Sequence, residues 1–169
     1  MGGVAFGYEH LHRLTASTLN GVSNLSVAYN ALGNITSKTG TGTYTYHTTR
    51  KHAVVSTSSG GSYGYDANGN MTSRNGSTIS WSSFNLPTVI HGSGSNSSQF
   101  FYTPDRARYK QVANYSGTTE TTIYVGGLLE KLTRGALTEF RHLIQAGQEH
   151  TVIYTRRSNG TSDTFHVTR

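Results

Sequence analysis

An eight-residue plan recurs along this chain, and a fixed repeat constrains the fold more tightly than any bulk property. The clearest copies are Tyr8-Glu9-His10-Leu11-His12-Arg13-Leu14-Thr15, Tyr29-Asn30-Ala31-Leu32-Gly33-Asn34-Ile35-Thr36 and Tyr65-Asp66-Ala67-Asn68-Gly69-Asn70-Met71-Thr72. Each reads aromatic, Asp/Asn/Glu, two variable residues, Gly or a polar substitute, Arg/Asn, an aliphatic residue, Thr. Looser members begin at Tyr46, Trp81 and Tyr102, and Tyr124 continues the series. The anchors 8, 29, 46, 65, 81, 102 and 124 are separated by 21, 17, 19, 16, 21 and 22 residues, so one unit occupies about twenty.

Each unit reads as a β-hairpin. In the best copy, Asn68-Gly69 is the dipeptide that best tolerates positive φ at two successive positions, which predicts a type I′ turn. Period-two alternation puts Tyr63 and Tyr65 on one face, with Met71 opposite on the return strand. Asp66, or Asn30 in the second copy, is expected to cap the turn through its side chain. Thr39 to Thr43, Ser56 to Ser62 and His91 to Ser98 read as connecting turns or surface loops. Further on, Thr121 to Val125 and Leu129 to Thr133 are strands across a Gly126-Gly127 turn. Residues 138–144 and 150–156 form another pair across 145–148, and 163–169 begin a fresh strand that looks cut mid-sheet.

Composition agrees with an all-β chain. Ser, Thr, Gly and Asn supply 76 of 169 residues, and these compete with or weaken helical bonding, whereas Thr, Tyr and Val suit a pleated surface. Leu, Ile, Val and Phe together number only 33, so the 18 aromatics are expected to form a narrow interior. The fold expected is a repetitive antiparallel β-hairpin ribbon or solenoid, with hairpin repeats over 1–120 and a second run of strands over 121–169.

Several classes of chemistry are disfavoured. With no cysteine there is no thiolate nucleophile, disulfide or Cys-ligated zinc. His10 and His12 would share a face of an extended strand, but no third ligand stands near, and no metal or other cofactor is expected. Asp66 and Asp105 fall at turns and read as structural. Gly92-Ser93-Gly94-Ser95 lacks the strand and helix flanks of a nucleophile elbow. No catalytic residue is assigned and the chain is not expected to be an enzyme. The net charge of +6 is divided evenly between the halves, with no basic run longer than two, so nucleic-acid binding is not expected. Seven Asn-x-Ser/Thr sites are a by-product of turn composition. No apolar run approaches the roughly 20 residues of a membrane span, and no signal peptide opens the chain.

The octet Tyr65-Asp66-Ala67-Asn68-Gly69-Asn70-Met71-Thr72 resembles a unit of the tyrosine-aspartate (YD) repeat of RHS (rearrangement hot spot) proteins. The later block Tyr124-Val125-Gly126-Gly127-Leu128-Leu129-Glu130-Lys131, followed by Glu139 to Ile144, resembles the stretch near the end of the bacterial RHS core. The likeness covers nearly the whole chain. Its repeat-defining positions here are Tyr8, Tyr29, Gly33, Tyr65, Asp66, Gly69, Trp81, Tyr102, Tyr124, Gly126 and Gly127. The resemblance implies a secreted or cell-surface β-ribbon that spirals into a shell around a C-terminal toxin domain, as in polymorphic toxins, or forms an extracellular scaffold. Its partners would be neighbouring repeats and an enclosed toxin. Seven units are too few to close a shell, and the aspartate-containing autoproteolytic block of bacterial members does not appear, so neither self-cleavage nor toxicity carries over. A different reading is a carbohydrate-binding adhesion module, with Trp81 and Tyr102 as candidates for stacking on sugar rings.

Overall fold

In the computed structural model, which describes residues 2–146 and 150–168, the chain forms antiparallel β-sheets and no helix. It divides into two compact units, 1–76 and 77–169. The first holds β1 (Val4–Tyr8), β2 (Leu14–Leu19), β3 (Val22–Tyr29), β4 (Ile35–Lys38), β5 (Gly42–Tyr46), β6 (Val54–Thr57), β7 (Tyr63–Tyr65) and β8 (Met71–Arg74). Strands β1 to β6 pair in chain order, β7 pairs with β8, and a Ser56–Ser62 bridge joins β6 to the start of β7. The second unit holds β9 (Ser77–Trp81), β10 (Pro87–His91), β11 (Ser97–Tyr102), β12 (Arg108–Tyr115), β13 (Thr118–Val125), β14 (Leu129–Arg134), β15 (Leu137–Ala146), β16 (His150–Arg157) and β17 (Ser162–Thr168), again paired in chain order. The 120/121 boundary drawn from the sequence falls inside β13. Of the 145–148 turn, residues 147 and 148 lie outside the described residues.

The three octets fold alike, but not as type I′ turns. After the anchor, residue i donates its N–H to the carbonyl of i+4 and accepts one from i+3, as in Asp66 N to Asn70 O (2.9 Å) and Gly69 N to Asp66 O (3.2 Å). Of the Asn68-Gly69 pair only Gly69 takes a positive φ, +87°. This is a type I turn closed by a left-handed residue and a one-residue bulge, and the register shifts at Gly64/Tyr65 accordingly. The same two bonds close the turns at 9–13, 30–34, 82–86 and 103–107, where His12, Gly33, Asn85 and Arg106 hold the left-handed place. Two-residue turns with positive φ at both positions do occur, at Asn20-Gly21 and Ser116-Gly117, and the expected Gly126-Gly127 turn takes positive φ twice within the three-residue connection from Val125 to Leu129. The His10/His12 expectation fails for the same reason: both lie in the 9–13 turn rather than on a strand, and Glu9 pairs with Arg13.

The connecting segments act as clamps. Thr39 donates its N–H to Ser26 O (2.9 Å) and accepts the Ser26 N–H on its hydroxyl (2.8 Å). Ser58 grips Thr43, Asn75 grips Ser62 and Ser158 grips Thr138 in the same two-bond manner. Short polar residues are needed here because each must satisfy a donor and an acceptor one strand away.

The expected aromatic interior does not form. Within each unit the described strands pair only with their neighbours in sequence and almost all their side chains keep partial exposure, so neither unit builds a second layer of its own. Among the described residues only Val27 and Leu132 are buried hydrophobics, and no large side chain is completely enclosed. Twelve of the aromatics are half-buried, and Phe6, Tyr8, Tyr109, Tyr115, Tyr154 and Phe165 are exposed. Gly69→Ala is expected to destabilise by about 1 kcal/mol through the left-handed penalty, seen as a lower urea midpoint. Gly69→Asn should cost less, because Asn85 already holds the equivalent place with φ of 59°.

Candidate functional surface: a tyrosine ladder and a paired-charge face

Antiparallel pairing leaves an orphan at the end of each hairpin. Beyond the last paired residues, the first carbonyl of the partner strand has no ladder donor, and an unmet backbone acceptor is costly. Leu14, Ile35 and Pro87, the first residues of β2, β4 and β10, have no partner on β3, β5 and β11 respectively. The anchor tyrosine supplies the missing donor. Tyr29 Oη donates to Leu14 O (2.9 Å), Tyr46 to Ile35 O (2.7 Å), Tyr65 to Val54 O (2.9 Å) and Tyr102 to Pro87 O (2.7 Å). The aromatic anchor is thus a hairpin lock whose bulge aims the ring across the strand end.

The residue after the anchor builds the turn. Asn30 Oδ1 accepts the Leu32 and Asn34 N–H groups (3.0 Å each), and Asp66 Oδ1 accepts those of Asn68 and Asn70 (2.9 Å each). Asn70 Nδ2 bonds Asp66 Oδ2, and this bond leads in holding the Asp66 carboxyl below its ordinary value. Asp66 therefore acts as the expected turn former.

Other anchors depart from the plan. Tyr8 ends β1, which has no strand on its far side, and is 60% exposed. Trp81 lies opposite Pro87 across β9 and β10. Tyr124 precedes the tight Gly126-Gly127 turn and donates to Gln111 Oε1 (3.0 Å) instead of a backbone carbonyl. Of the two sugar-stacking candidates, Tyr102 spends its hydroxyl on the lock and meets the Phe84 ring edge-on, at 5.9 Å between centroids.

One feature escaped sequence reasoning. On one face of the second unit the carboxylates and guanidiniums alternate from strand to strand. Glu120 pairs with Arg134, Arg141 Nη2 lies 2.9 Å from Glu139, Arg157 Nε lies 3.0 Å from Glu139, and Arg157 also reaches Asp163. Arg108 covers the Tyr124 ring on the same face, 4.7 Å from its centroid. The register Glu139↔Arg157 and Glu130↔Arg141 brings these groups together, and register cannot be read without knowing each turn's length. Among the described residues no group of three or more His, Asp or Glu side chains is arranged to hold a metal.

Tyr65→Phe and Tyr102→Phe should each lower stability by about 1 kcal/mol, and because the locks lie in separate units the losses should add; unchanged urea midpoints would remove the lock. Burial, reinforced by Tyr44 and Tyr63 respectively, raises the Tyr46 and Tyr65 hydroxyl pKa values. A raised value means that the contribution is intact below the unfolded value of about 10 and is lost as pH climbs through the folded one. Stability should fall above that pH in the wild type, and less steeply in a Tyr46→Phe/Tyr65→Phe variant. The Arg157 hydrogen bond leads in holding Glu139 below the carboxylate range, aided by Arg141 and opposed by burial. Its contribution is therefore present above about pH 4 and lost as pH falls through the lowered value. Glu139→Gln should flatten the acid limb of the stability profile.

No protein family matches the sequence, and no curated protein matches it. Among solved structures, one described as the crystal structure of TcdB2-TccC3-Cdc42 is similar at 13% identity and a TM-score of 0.39, over 95% of this chain and 13% of that one. The chain therefore spans about an eighth of the length of that structure's chain.

Proposed function

We propose that this chain is a structural, non-catalytic stretch of RHS/YD-type β-ribbon, a piece of wall that in a full-length parent contributes to a toxin-enclosing shell or an extracellular scaffold. The observation that carries the reading is the Tyr-locked hairpin, which recurs four times with the same orphan carbonyl and is followed by the same five-residue turn after Tyr29, Tyr65 and Tyr102, and by the longer connection 47–53 after Tyr46. A lock of this kind builds a sheet that grows by adding units and demands no closed core. The outermost strand supports the same reading. Val4, Phe6 and Tyr8 alternate along one face of β1 and are 58%, 59% and 60% exposed, and the strand carries no charge or proline to blunt its edge. Such an edge suits a place inside a longer ribbon.

Sedimentation velocity over a range of concentrations tests this. The chain should associate while keeping a β-sheet circular dichroism spectrum and should bind an apolar dye. Phe6→Lys, which puts a charge on the open edge, should shift it towards monomer. A monodisperse monomer that melts cooperatively and binds no dye would overturn the wall reading.

A further inference from the structure

Four exposed turns contain Asn followed by Gly: Asn20-Gly21, Asn68-Gly69, Asn75-Gly76 and Asn159-Gly160. The dipeptide is chemically labile, because glycine has no side chain to obstruct its own nitrogen as it approaches the asparagine side-chain carbonyl. Whether that approach can happen depends on the backbone, and the four turns differ. At Asn20-Gly21 the φ values are 53° and 77° and Leu19 lies opposite Val22, which is a two-residue type I′ turn. Closing a five-membered ring from Gly N to Asn Cγ requires the nitrogen to eclipse Cβ about the Cα–C bond. That is roughly the ψ of −120° found at the first central residue of a type II′ turn, the mirror of type II. The two turns share a first φ of about +60° and both suit the strand twist, so rotating the one peptide plane between Asn20 and Gly21 interconverts them with the register kept. Nothing holds that plane or the side chain: among the described residues neither the Gly21 N–H nor the Asn20 side-chain amide has a hydrogen-bond partner.

The other turns are held. Gly69 and Gly160 donate their N–H groups to Asp66 O (3.2 Å) and Arg157 O (3.1 Å), and only the glycine of each pair has a positive φ. Turning either plane breaks a bond that closes its five-residue turn. Asn75-Gly76 has the paired φ values, 49° and 84°, but Asn75 Oδ1 accepts the Ser62 N–H at 2.8 Å, so its carbonyl must leave Ser62 first.

We infer that Asn20-Gly21 is a self-modifying turn that ages into isoaspartate and thereby loosens β1. The Gly21 nitrogen gives its proton to hydroxide and attacks Asn20 Cγ. The Cγ–N bond of the amide breaks, and ammonia departs with a proton taken from water. Water then opens the cyclic imide at either carbonyl. Addition at Cγ leaves aspartate, whereas addition at the main-chain carbonyl leaves isoaspartate, with the chain running through Cβ and Cγ. The turn gains a negative charge and, in the second product, an extra methylene. The Asn20 N–H is also the group that bonds Gly3 O (2.9 Å), immediately ahead of β1. Rerouting the chain at Asn20 moves that N–H and frees the start of the edge strand. The inference does not depend on the wall role.

The test holds the full chain in mildly alkaline buffer, folded or in concentrated urea, and follows each site by peptide mass mapping. Isoaspartate is identified by methyl transfer from S-adenosylmethionine with a protein isoaspartyl methyltransferase. Dividing each site's folded rate by its own rate in urea removes the effect of neighbouring sequence. The ratio at Asn20 should exceed those at Asn68 and Asn159 by about tenfold or more, the cost of giving up one or two turn hydrogen bonds, and should also exceed that at Asn75. Ser116-Gly117 forms the same turn, with φ of 48° and 80° and Tyr115 opposite Thr118, so Ser116→Asn should create a second fast site. Asn20→Ser copies that natural pair; it should fold, release no ammonia from the turn and keep the β1 amides slow to exchange with solvent. In the isoaspartate fraction of the wild type the same amides should exchange faster. A ratio at Asn20 no higher than at Asn68 or Asn159, no conversion in Ser116→Asn, or unchanged β1 exchange in the isoaspartate fraction would each overturn the inference.

Discussion

The structure depends on a backbone carbonyl that antiparallel pairing cannot satisfy. At the end of each locked hairpin the ladder stops two residues short, and the first carbonyl of the neighbouring strand is left facing a ring rather than an amide. A tyrosine hydroxyl closes that gap at 2.7 to 2.9 Å in four hairpins. A register shift at the anchor places the ring where it can do so, joined after Tyr29, Tyr65 and Tyr102 by a left-handed residue in the following turn. Tyrosine is the suitable residue because it joins a broad apolar body to a hydroxyl donor. Phenylalanine would give the body without the bond, and serine the bond without the reach.

With the strand ends held this way, each unit can do without a second layer. Stability comes instead from within the sheet: ladder bonds, side-chain clamps such as Thr39 on Ser26, cations over rings, and the interstrand ion pairs of β13 to β17. Exposed ion pairs are individually weak, but Glu139 is well covered and accepts from two arginines, which makes this stretch a network and not a set of separate contacts. Confining the carboxylates to one face leaves the other with Lys110 and Lys131, which lie over the Phe101 and Phe140 rings.

Much of this was legible in the sequence, because the period survives in residue types with local jobs. Tyr29, Asn30 and Gly33, like Tyr65, Asp66 and Gly69, each perform a task settled within a few residues, and the all-β hairpin ribbon followed from them. The turn type was misread because Asn-Gly signals a type I′ turn only where two residues bridge the strands. At Asp66–Asn70 the loop is one residue longer, and only Gly69 needs a positive φ. The absent aromatic interior was misread because composition counts rings without showing whether a second layer exists to cover them. The charge-segregated faces were hidden for another reason. Whether Lys131 and Phe140 are neighbours depends on register accumulated through several turns, and a single slip exchanges the faces.

The locks are short in sequence: donor and acceptor are separated by 11 residues at Tyr46 and Tyr65 and by 15 at Tyr29 and Tyr102. Each bond therefore begins and ends inside one hairpin. Deleting or duplicating a whole unit in frame strands no donor and opens no cavity, since no layer lies across the sheet. A gene encoding such a ribbon can lengthen or shorten by recombination between its own copies, and the left-handed position can drift from Gly to Asn, Arg or His while the geometry persists. Reach along the ribbon is then set by copy number, which selection can change in a single genetic event.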